Sequence, residues 1–341
     1  MSDMDDNKAK EKKDEKRKRK AKEAHKTNTL STQPASPSLV AQDERESDGE
    51  HERATKTANV RRSVPVCIQG DCIGEMKKMA TGSCDLVLAD PPYGINVRRV
   101  AWDKPINPNM DAFDFTYEWI DEAVRILKPG GTLLFFSSPC TLYSSYANVH
   151  LDKKPDIVHR QTLSWIYSQG GDCRLENMKQ YAVRSEVIEW WTKHHIPPTF
   201  NAHCATERYT EEQKKVALAK GVGRVTEASL DKGRPPRTWC DIPRENSRST
   251  ERSYSSIKHP AMKPLDLAER LVGVHSNEGD LVVVPFAGSG TEMLSAHKLK
   301  RQVVGIEIDP NYVELMKKRF EGHSIECVFR ESSAEKEELV R

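Results

Sequence analysis

The sequence predicts an α/β fold in which helices cover both faces of a mostly parallel sheet. Apolar runs of strand length recur along the chain, and most lack the polar alternation of a sheet with one solvated face. Segments with helical spacing of apolar residues separate several of these runs. The predicted strands are Val64–Gln69, Cys84–Asp90, Gly131–Ser137, Gln161–Tyr167, Glu186–Thr192, Leu281–Pro285 and Gln302–Ile308.

Three of the helices can be delimited from their ends. The first carries an apolar stripe over residues 115–127 and is stopped by the Pro-Gly-Gly that follows Lys128. The second opens at Pro264. The third is capped by Asp309 and begins at Pro310, whose fixed φ suits a first helical position.

Both ends of the chain differ from this core. Residues 1–61 are rich in Lys, Glu, Asp, Ser and Thr and cannot bury enough surface to offset ordering entropy, so they are predicted to be a disordered tail. The basic run Lys16–Lys20 has three interpretations, a solvated charge-mixed tail, a nuclear import signal or a nucleic-acid arm. Residues 326–341 are predicted to form a charged C-terminal tail.

The segment 193–257 is predicted to be a loop-rich insertion. It has few apolar runs, and one short helix is expected at Glu211–Lys220. Such an insertion on an α/β core is a place where a macromolecular substrate would be held, and the alternative is a decorated surface loop without a ligand. Its arginines are Arg208, Arg224, Arg234, Arg237, Arg244, Arg248 and Arg252.

Bulk composition favours an intracellular protein. The eight cysteines include no C-x-x-C pair and fit reduced thiols in a reducing compartment. No zinc-ligand spacing is complete, so no metal site is predicted. No apolar run approaches the roughly 18 residues of a membrane span, and the charged N-terminus does not resemble a secretory signal. The net charge of +2 does not by itself indicate a polyanionic partner.

A glycine turn lies between a predicted strand and a predicted helix. The turn, Phe286-Ala287-Gly288-Ser289-Gly290-Thr291, lets the backbone approach a ligand closely. Glu307 ends the next strand, where a carboxylate can accept hydrogen bonds from two ribose hydroxyls. The pattern is neither a dinucleotide fingerprint nor a Walker motif. An adenosine-bearing ligand without a pyrophosphate is therefore favoured, and S-adenosylmethionine fits.

The segment Asp90-Pro91-Pro92-Tyr93 follows the strand Cys84–Ala89. This strand delivers Asp90 to the carboxyl end of the sheet, where open α/β sheets bind ligands. The two prolines remove two backbone donors, so Asp90 and the Pro91 carbonyl can each accept a hydrogen bond from an amine. Tyr93 supplies an aromatic face for a planar base. The alternative is a proline-rich turn in which Asp90 only caps the backbone.

With these motifs the chain resembles the β group of DNA amino-methyltransferases, which carry Asp-Pro-Pro-Tyr, bind S-adenosylmethionine and methylate adenine N6 or cytosine N4. The similarity covers roughly residues 62–320, and the motifs occur in the order of that group. Further matching segments are Gly70-Asp71-Cys72, Leu127-Lys128-Pro129-Gly130-Gly131, Arg184-Ser185-Glu186-Val187-Ile188 and His259-Pro260-Ala261-Met262-Lys263-Pro264.

The resemblance implies a Rossmann-like methyltransferase fold with a mostly parallel, seven-stranded sheet. It assigns a catalytic half to 62–192, a target-recognition insertion to 193–257 and a cofactor-binding half to 258–325. A flipped base would be received by Asp90, Pro91, Pro92 and Tyr93, and flipping costs a few kcal/mol. The cofactor residues it implies are Asp71, Lys263, Phe286, Gly288, Ser289, Gly290, Thr291 and Glu307.

One position departs from the family pattern. Val284 stands where the family usually has an aspartate before Pro-Phe, so a carboxylate that could contact the methionine ammonium of the cofactor is absent. Either Asp90 or Asp71 takes over part of that role, or cofactor affinity is weakened.

The sequence thus predicts an S-adenosylmethionine-dependent DNA methyltransferase acting on adenine N6. The alternatives are cytosine N4 of DNA, adenine N6 of RNA, and a weakly active or inactive nucleic-acid-binding subunit. The expected partners are DNA or RNA and either a second copy of the chain or another methyltransferase subunit, without a membrane. The expected location is intracellular, and nuclear in a eukaryotic host.

Overall fold

The computed structural model describes residues 63–93, 112–139, 142–167, 181–220, 226–245 and 249–332. The predicted tail at 1–61 lies outside these ranges. In chain order the elements are β1 (Val66–Gln69), α1 (Cys72–Lys78), β2 (Cys84–Ala89), α2 (Ala112–Ile126), β3 (Leu127–Ser137), α3 (Tyr143–Asp152), β4 (Ile157–Ile166), β5 (Ser185–Lys193), α4 (Glu211–Lys220), α5 (Glu227–Asp231), β6 (Trp239–Asp241), α6 (Leu265–His275), β7 (Leu281–Val284), α7 (Thr291–Lys298), β8 (Gln302–Glu307), α8 (Pro310–Gly322) and β9 (Val328–Glu331), with short 3₁₀ turns at Ala202–Ala205 and Thr250–Arg252.

The described strands form one mixed sheet in the order β6-β4-β5-β3-β2-β7-β8-β1-β9. Neighbouring strands run parallel except around β5, which is antiparallel to both β3 and β4. The mostly parallel α/β fold is therefore confirmed, and every predicted strand is present with ends shifted by a few residues. The described sheet has nine strands rather than seven because β6 and β9 add to its two edges.

The predicted C-terminal tail needs a correction. Residues 326–341 were expected to be a charged tail, but Val328–Glu331 forms β9 and pairs in parallel with β1. Pairing with the edge of an existing sheet supplies the backbone hydrogen bonds that four residues could not make alone. Residues 333–341 lie outside the described ranges.

Helices cover both faces of the sheet. Within β2, Val87 and Ala89 pack in one apolar layer with helices α1, α2 and α3, whereas Leu86 and Leu88 pack in the other layer with α6, α7 and α8. All four side chains are fully buried. Because successive strand residues point to opposite faces, a strand buried on both faces reads as one continuous apolar run, which is the pattern that predicted the fold.

The topology places three strand ends side by side. Strands β2, β7 and β8 are neighbours and run in the same direction. Their carboxyl ends deliver Asp90, the glycine turn and Glu307 to one edge of the sheet. In the described part of the chain, no helix is both long enough and apolar enough to cross a membrane.

Gly290 shows how tightly the glycine turn is packed. Its φ is +78°, and a Cβ there would lie 2.6 Å from Cγ of Met316 on α8. We expect Gly290→Ala to lower the free energy of unfolding by about 2–4 kcal/mol, because left-handed strain adds to overpacking. Gly279 is the matched control, since its φ is +87° but a Cβ added there would meet nothing within 4 Å.

Urea unfolding of both variants tests this. Gly279→Ala carries only the backbone strain, so its loss should be about 1–2 kcal/mol. Equal losses of unfolding free energy in the two variants would show that α8 moves freely to admit a methyl group. The inference that the turn is tightly packed would then be wrong.

Candidate active site

A cavity of about 800 Å³ opens at the carboxyl ends of β2, β7 and β8. Both sequence motifs contribute to its wall, although nearly two hundred positions separate them. The residues predicted from sequence that line it are Asp90, Pro91, Pro92, Tyr93, Lys263, Phe286, Gly288, Ser289 and Glu307. A carboxylate-aromatic segment and a glycine turn therefore face one shared space.

Three residues assigned to the cofactor do not line this cavity. Asp71 is exposed and caps α1, where its Oδ2 accepts a hydrogen bond from the Gly74 N–H at 2.8 Å. Thr291 is fully buried, and its Oγ1 accepts a hydrogen bond from the Arg319 guanidinium at 3.0 Å. Gly290 is the N-cap residue of α7 and packs against α8. The contacts of these residues in the structure support the turn and the neighbouring helices.

The Asp90 carboxylate is held on both oxygens. The Tyr93 hydroxyl donates to Oδ1 at 2.7 Å, and the Lys263 ammonium lies 2.7 Å from Oδ2. Lys263 also pairs with Glu186 at 3.0 Å, and Arg244 donates to the other oxygen of Glu186 at 3.0 Å. Lys263 and Glu186 are only 5% and 8% exposed, so two carboxylates share one buried ammonium beside the cavity.

The charge state of this cluster follows from burial and neighbours. Burial lowers the pKa of Lys263, but Asp90 and Glu186 together outweigh it and hold the pKa above its ordinary value. Burial, followed by the Asp90 charge, raises the pKa of Tyr93 well above the usual range. At neutral pH Lys263 is therefore cationic and Tyr93 is a neutral hydrogen-bond donor.

Lys263 lies in the cavity between the two motifs. The resemblance implies a place near the cofactor, and the structure shows its ammonium paired with Asp90, the predicted catalytic carboxylate. It reaches Asp90 from the loop before α6, beside the fully buried ring of Phe136, whose centroid lies 4.8 Å from Nζ.

Glu307 and Gly288 form the opposite wall. The Glu307 carboxylate accepts hydrogen bonds from the N–H groups of Gly288 at 2.6 Å and Asp309 at 2.8 Å. Each oxygen keeps a further lone pair, so the group can still accept from a diol. Burial raises the pKa of Glu307 to about 7. Gly288 has φ +50°, and a Cβ there would lie 3.1 Å from Nε2 of His259, so glycine keeps this wall open. These features fit an adenosine ligand.

The wall also contains residues that the sequence analysis did not assign to the site, among them Glu186, Arg244 and Glu292. Glu186 has a local signal, because it is a carboxylate in an apolar strand. Glu292 has a second one, because it directly follows the glycine turn. Arg244 was expected only as one arginine of the insertion. Its place in the wall depends on a contact between distant segments, since its guanidinium lies 4.0 Å from the ring centroid of Tyr167.

Comparisons with known proteins agree on one family. A family model for N6 and N4 methyltransferases, described as DNA methylase, matches residues 84–318. The chain is 31% identical over 254 residues to type II methyltransferase M.HpaI of Haemophilus parainfluenzae, covering 74% of this chain and 73% of that protein. It is 29% identical over 259 residues to the DNA adenine methyltransferase YhdJ of Escherichia coli K12, covering 74% and 82%.

Solved structures share the fold. The cytosine-N4-specific PvuII DNA methyltransferase aligns with a TM-score of 0.57 at 19% identity, covering 76% of this chain and 86% of that one. The complex of M1.HpyAVI with SAM aligns with a TM-score of 0.51 at 21% identity, covering 75% and 98%. Since the family model spans well over half of the 341 residues, the chain belongs to the DNA methylase family of N6 and N4 methyltransferases.

Proposed function

We propose that the chain is an S-adenosylmethionine-dependent methyltransferase that methylates N6 of adenine in DNA. The observation that carries this proposal is the shared cavity, which Asp90 and Pro91 line together with the glycine turn and Glu307. The relative YhdJ, which is named as a DNA adenine methyltransferase, supports the choice of base.

When bound, the cofactor supplies an electrophilic methyl group on sulfur. Phe286, Gly288 and Ser289 would hold it at the turn, and Glu307 would accept hydrogen bonds from its ribose. Gly290 and Thr291 shape that turn through packing, and Asp71 supports the adjacent helix. Every one of these assignments is part of the proposal and is tested by binding measurements on single variants.

The chain's own contribution is to present acceptors to an exocyclic amine. Asp90 and the Pro91 carbonyl accept its two N–H groups, because proline nitrogens offer no competing donor. This orients the nitrogen lone pair toward the methyl carbon and stabilises the positive charge that develops on the nitrogen. Tyr93 and Lys263 already hold the Asp90 carboxylate in place, so no reorganisation is required when the amine arrives.

The insertion at 193–257 is proposed to contact DNA. Among its described arginines, the Arg237 guanidinium lies 3.7 Å from the ring centroid of Trp239, and that of Arg234 lies 4.3 Å from that of Tyr209. Stacked arginines combine a cation for phosphate with a flat surface for an unpaired base. Such contacts would help offset the cost of extruding the target base. Arg224 and Arg248 lie outside the described residues.

The proposal extends to the setting of the protein. The resemblance favours a second copy of the chain or another methyltransferase subunit as partner, and light scattering of the purified protein shows whether it associates with itself. Cys67, Cys72 and Cys84 are buried free thiols whose pKa is raised by burial, which supports a reducing compartment.

Mass spectrometry of modified nucleosides tests the activity. The purified protein is incubated with labelled S-adenosylmethionine and, separately, with unmethylated duplex DNA and with RNA. We expect N6-methyladenine in DNA alone. Detection of N4-methylcytosine would show that cytosine is the target base, and methylated RNA would show that RNA is the substrate. No transfer to either polymer would favour a nucleic-acid-binding subunit without catalysis.

A further inference from the structure

The cavity contains a carboxylate to which the mechanism above gives no role. Glu292 is the second residue of α7, lines the cavity and is only 6% exposed. Two cations act on it, but Lys263 is paired with Asp90 and Glu186, and Arg319 is paired with Glu251. Glu292 is thus a nine-tenths buried acid that faces the cavity beside cations engaged elsewhere.

Its surroundings do not favour an anion in the ligand-free protein. Burial, followed by the charge of Asp90, raises the pKa of Glu292 to about 7, although Lys263, Arg319 and its own backbone N–H act in the opposite direction. Both cations are paired with other carboxylates, so the burial of Glu292 carries a desolvation cost that a cationic ligand group would relieve.

The position of Val284 explains why a carboxylate elsewhere in the cavity is needed. Val284 is 1% exposed and packs in the apolar layer beneath α7, and it does not line the cavity. Asp71 and Asp90, the two acids expected to replace the aspartate absent at position 284, already have other partners. Asp71 caps α1, and Asp90 binds Tyr93 and Lys263. Glu292 lies eight positions beyond Val284, on the helix that follows the same turn.

We propose that Glu292 replaces the carboxylate missing at position 284 and binds the ammonium of the cofactor's methionine moiety. This inference rests on the proposed function. Glu307 and Gly288 form the nucleoside end of the cavity, and the backbone at the start of α7 suits the methionine carboxylate, since helix N-termini favour anions. The ammonium on the same carbon would then meet the first turn of α7, where Glu292 lies.

Calorimetry with two ligands tests the inference. S-adenosylhomocysteine carries the ammonium and carboxylate, whereas 5′-methylthioadenosine keeps the nucleoside thioether and lacks both. We expect Glu292→Gln to weaken S-adenosylhomocysteine binding roughly 10- to 100-fold, the value of a charge-assisted hydrogen bond, and to change 5′-methylthioadenosine binding less than about twofold. Glu314→Gln, at a half-exposed ion pair on α8, is the matched control and should change neither.

Proton release provides a test on the wild-type protein alone, should the variant not fold. An ammonium beside Glu292 lowers its pKa, so S-adenosylhomocysteine should release roughly half a proton more than 5′-methylthioadenosine near pH 7. Both ligands contact Glu307, whose contribution cancels in the difference. Equal proton release, or equal affinity of Glu292→Gln and wild type, would overturn the role of Glu292 while the proposed function stands. Failure of the wild type to bind either ligand would overturn both.

Discussion

Asp90→Asn is expected to lower the rate of methyl transfer about 10²- to 10³-fold while leaving S-adenosylhomocysteine affinity within about tenfold. The substitution keeps the size of the side chain but replaces one acceptor oxygen with a donor group. The amine then loses an acceptor, and charge developing on its nitrogen loses a neighbouring anion. The cofactor side of the cavity, formed by the glycine turn and Glu307, is unchanged.

Single-turnover rates on duplex DNA measure this effect, and calorimetry measures ligand affinity. Asp266→Asn is the matched control, because Asp266 is an exposed acid in the first turn of α6 outside the cavity. A folded Asp90→Asn protein that methylates DNA at the wild-type rate would remove Asp90 from the mechanism. A variant that loses ligand binding instead would reassign Asp90 to the cofactor.

The fold was predictable from sequence where burial dominates. Strands β2, β7 and β8 are buried on both faces, so each contains an apolar run of at least four residues, and the end of the strand can be placed within a residue or two. Helix α8 was equally predictable, because Asp309 accepts a hydrogen bond from the Asn311 N–H and Pro310 occupies the first turn.

The edge strands were not predictable for a physical reason. Strand β6 has three residues and β9 has four, and both are largely exposed. Neither carries enough apolar surface to leave a pattern, and each forms only because a neighbouring strand offers unpaired backbone groups. The start of β3 at Leu127 was missed similarly, since a register shift against β2 between Cys84 and Leu86 lets the strand pass through the Pro-Gly-Gly segment.

The cavity likewise contains some features that local sequence predicts and others that depend on contacts between distant segments. Asp90 and the glycine turn follow directly from strand ends, so local sequence is sufficient to bring them to one edge of the sheet. The ion pair between Lys263 and Asp90 is a contact between distant segments, and no local pattern specifies it. Glu292 combines both situations, because its position on α7 is local but its burial depends on the helices and strands around it.

Lys263→Met is expected to lower the free energy of unfolding by about 3–5 kcal/mol, the cost of leaving a buried charge without its partner. Methionine retains much of the apolar stem, so lost packing contributes little. The loss arises because Asp90 and Glu186 would share a buried site without the ammonium between them. For a domain with a total stability of about 5–15 kcal/mol, this is a large fraction.

A double variant distinguishes charge from packing as the cause. In Lys263→Met/Glu186→Gln, one of the two opposing charges is gone, so urea unfolding should recover a substantial part of the loss. Glu186→Gln alone leaves Lys263 paired with Asp90 and should cost less than Lys263→Met. If the double variant is no more stable than Lys263→Met, the two carboxylates do not repel across the site. Lys263 would then stabilise the fold through its packing against Phe136, and the charged acceptor at Asp90 would not depend on it.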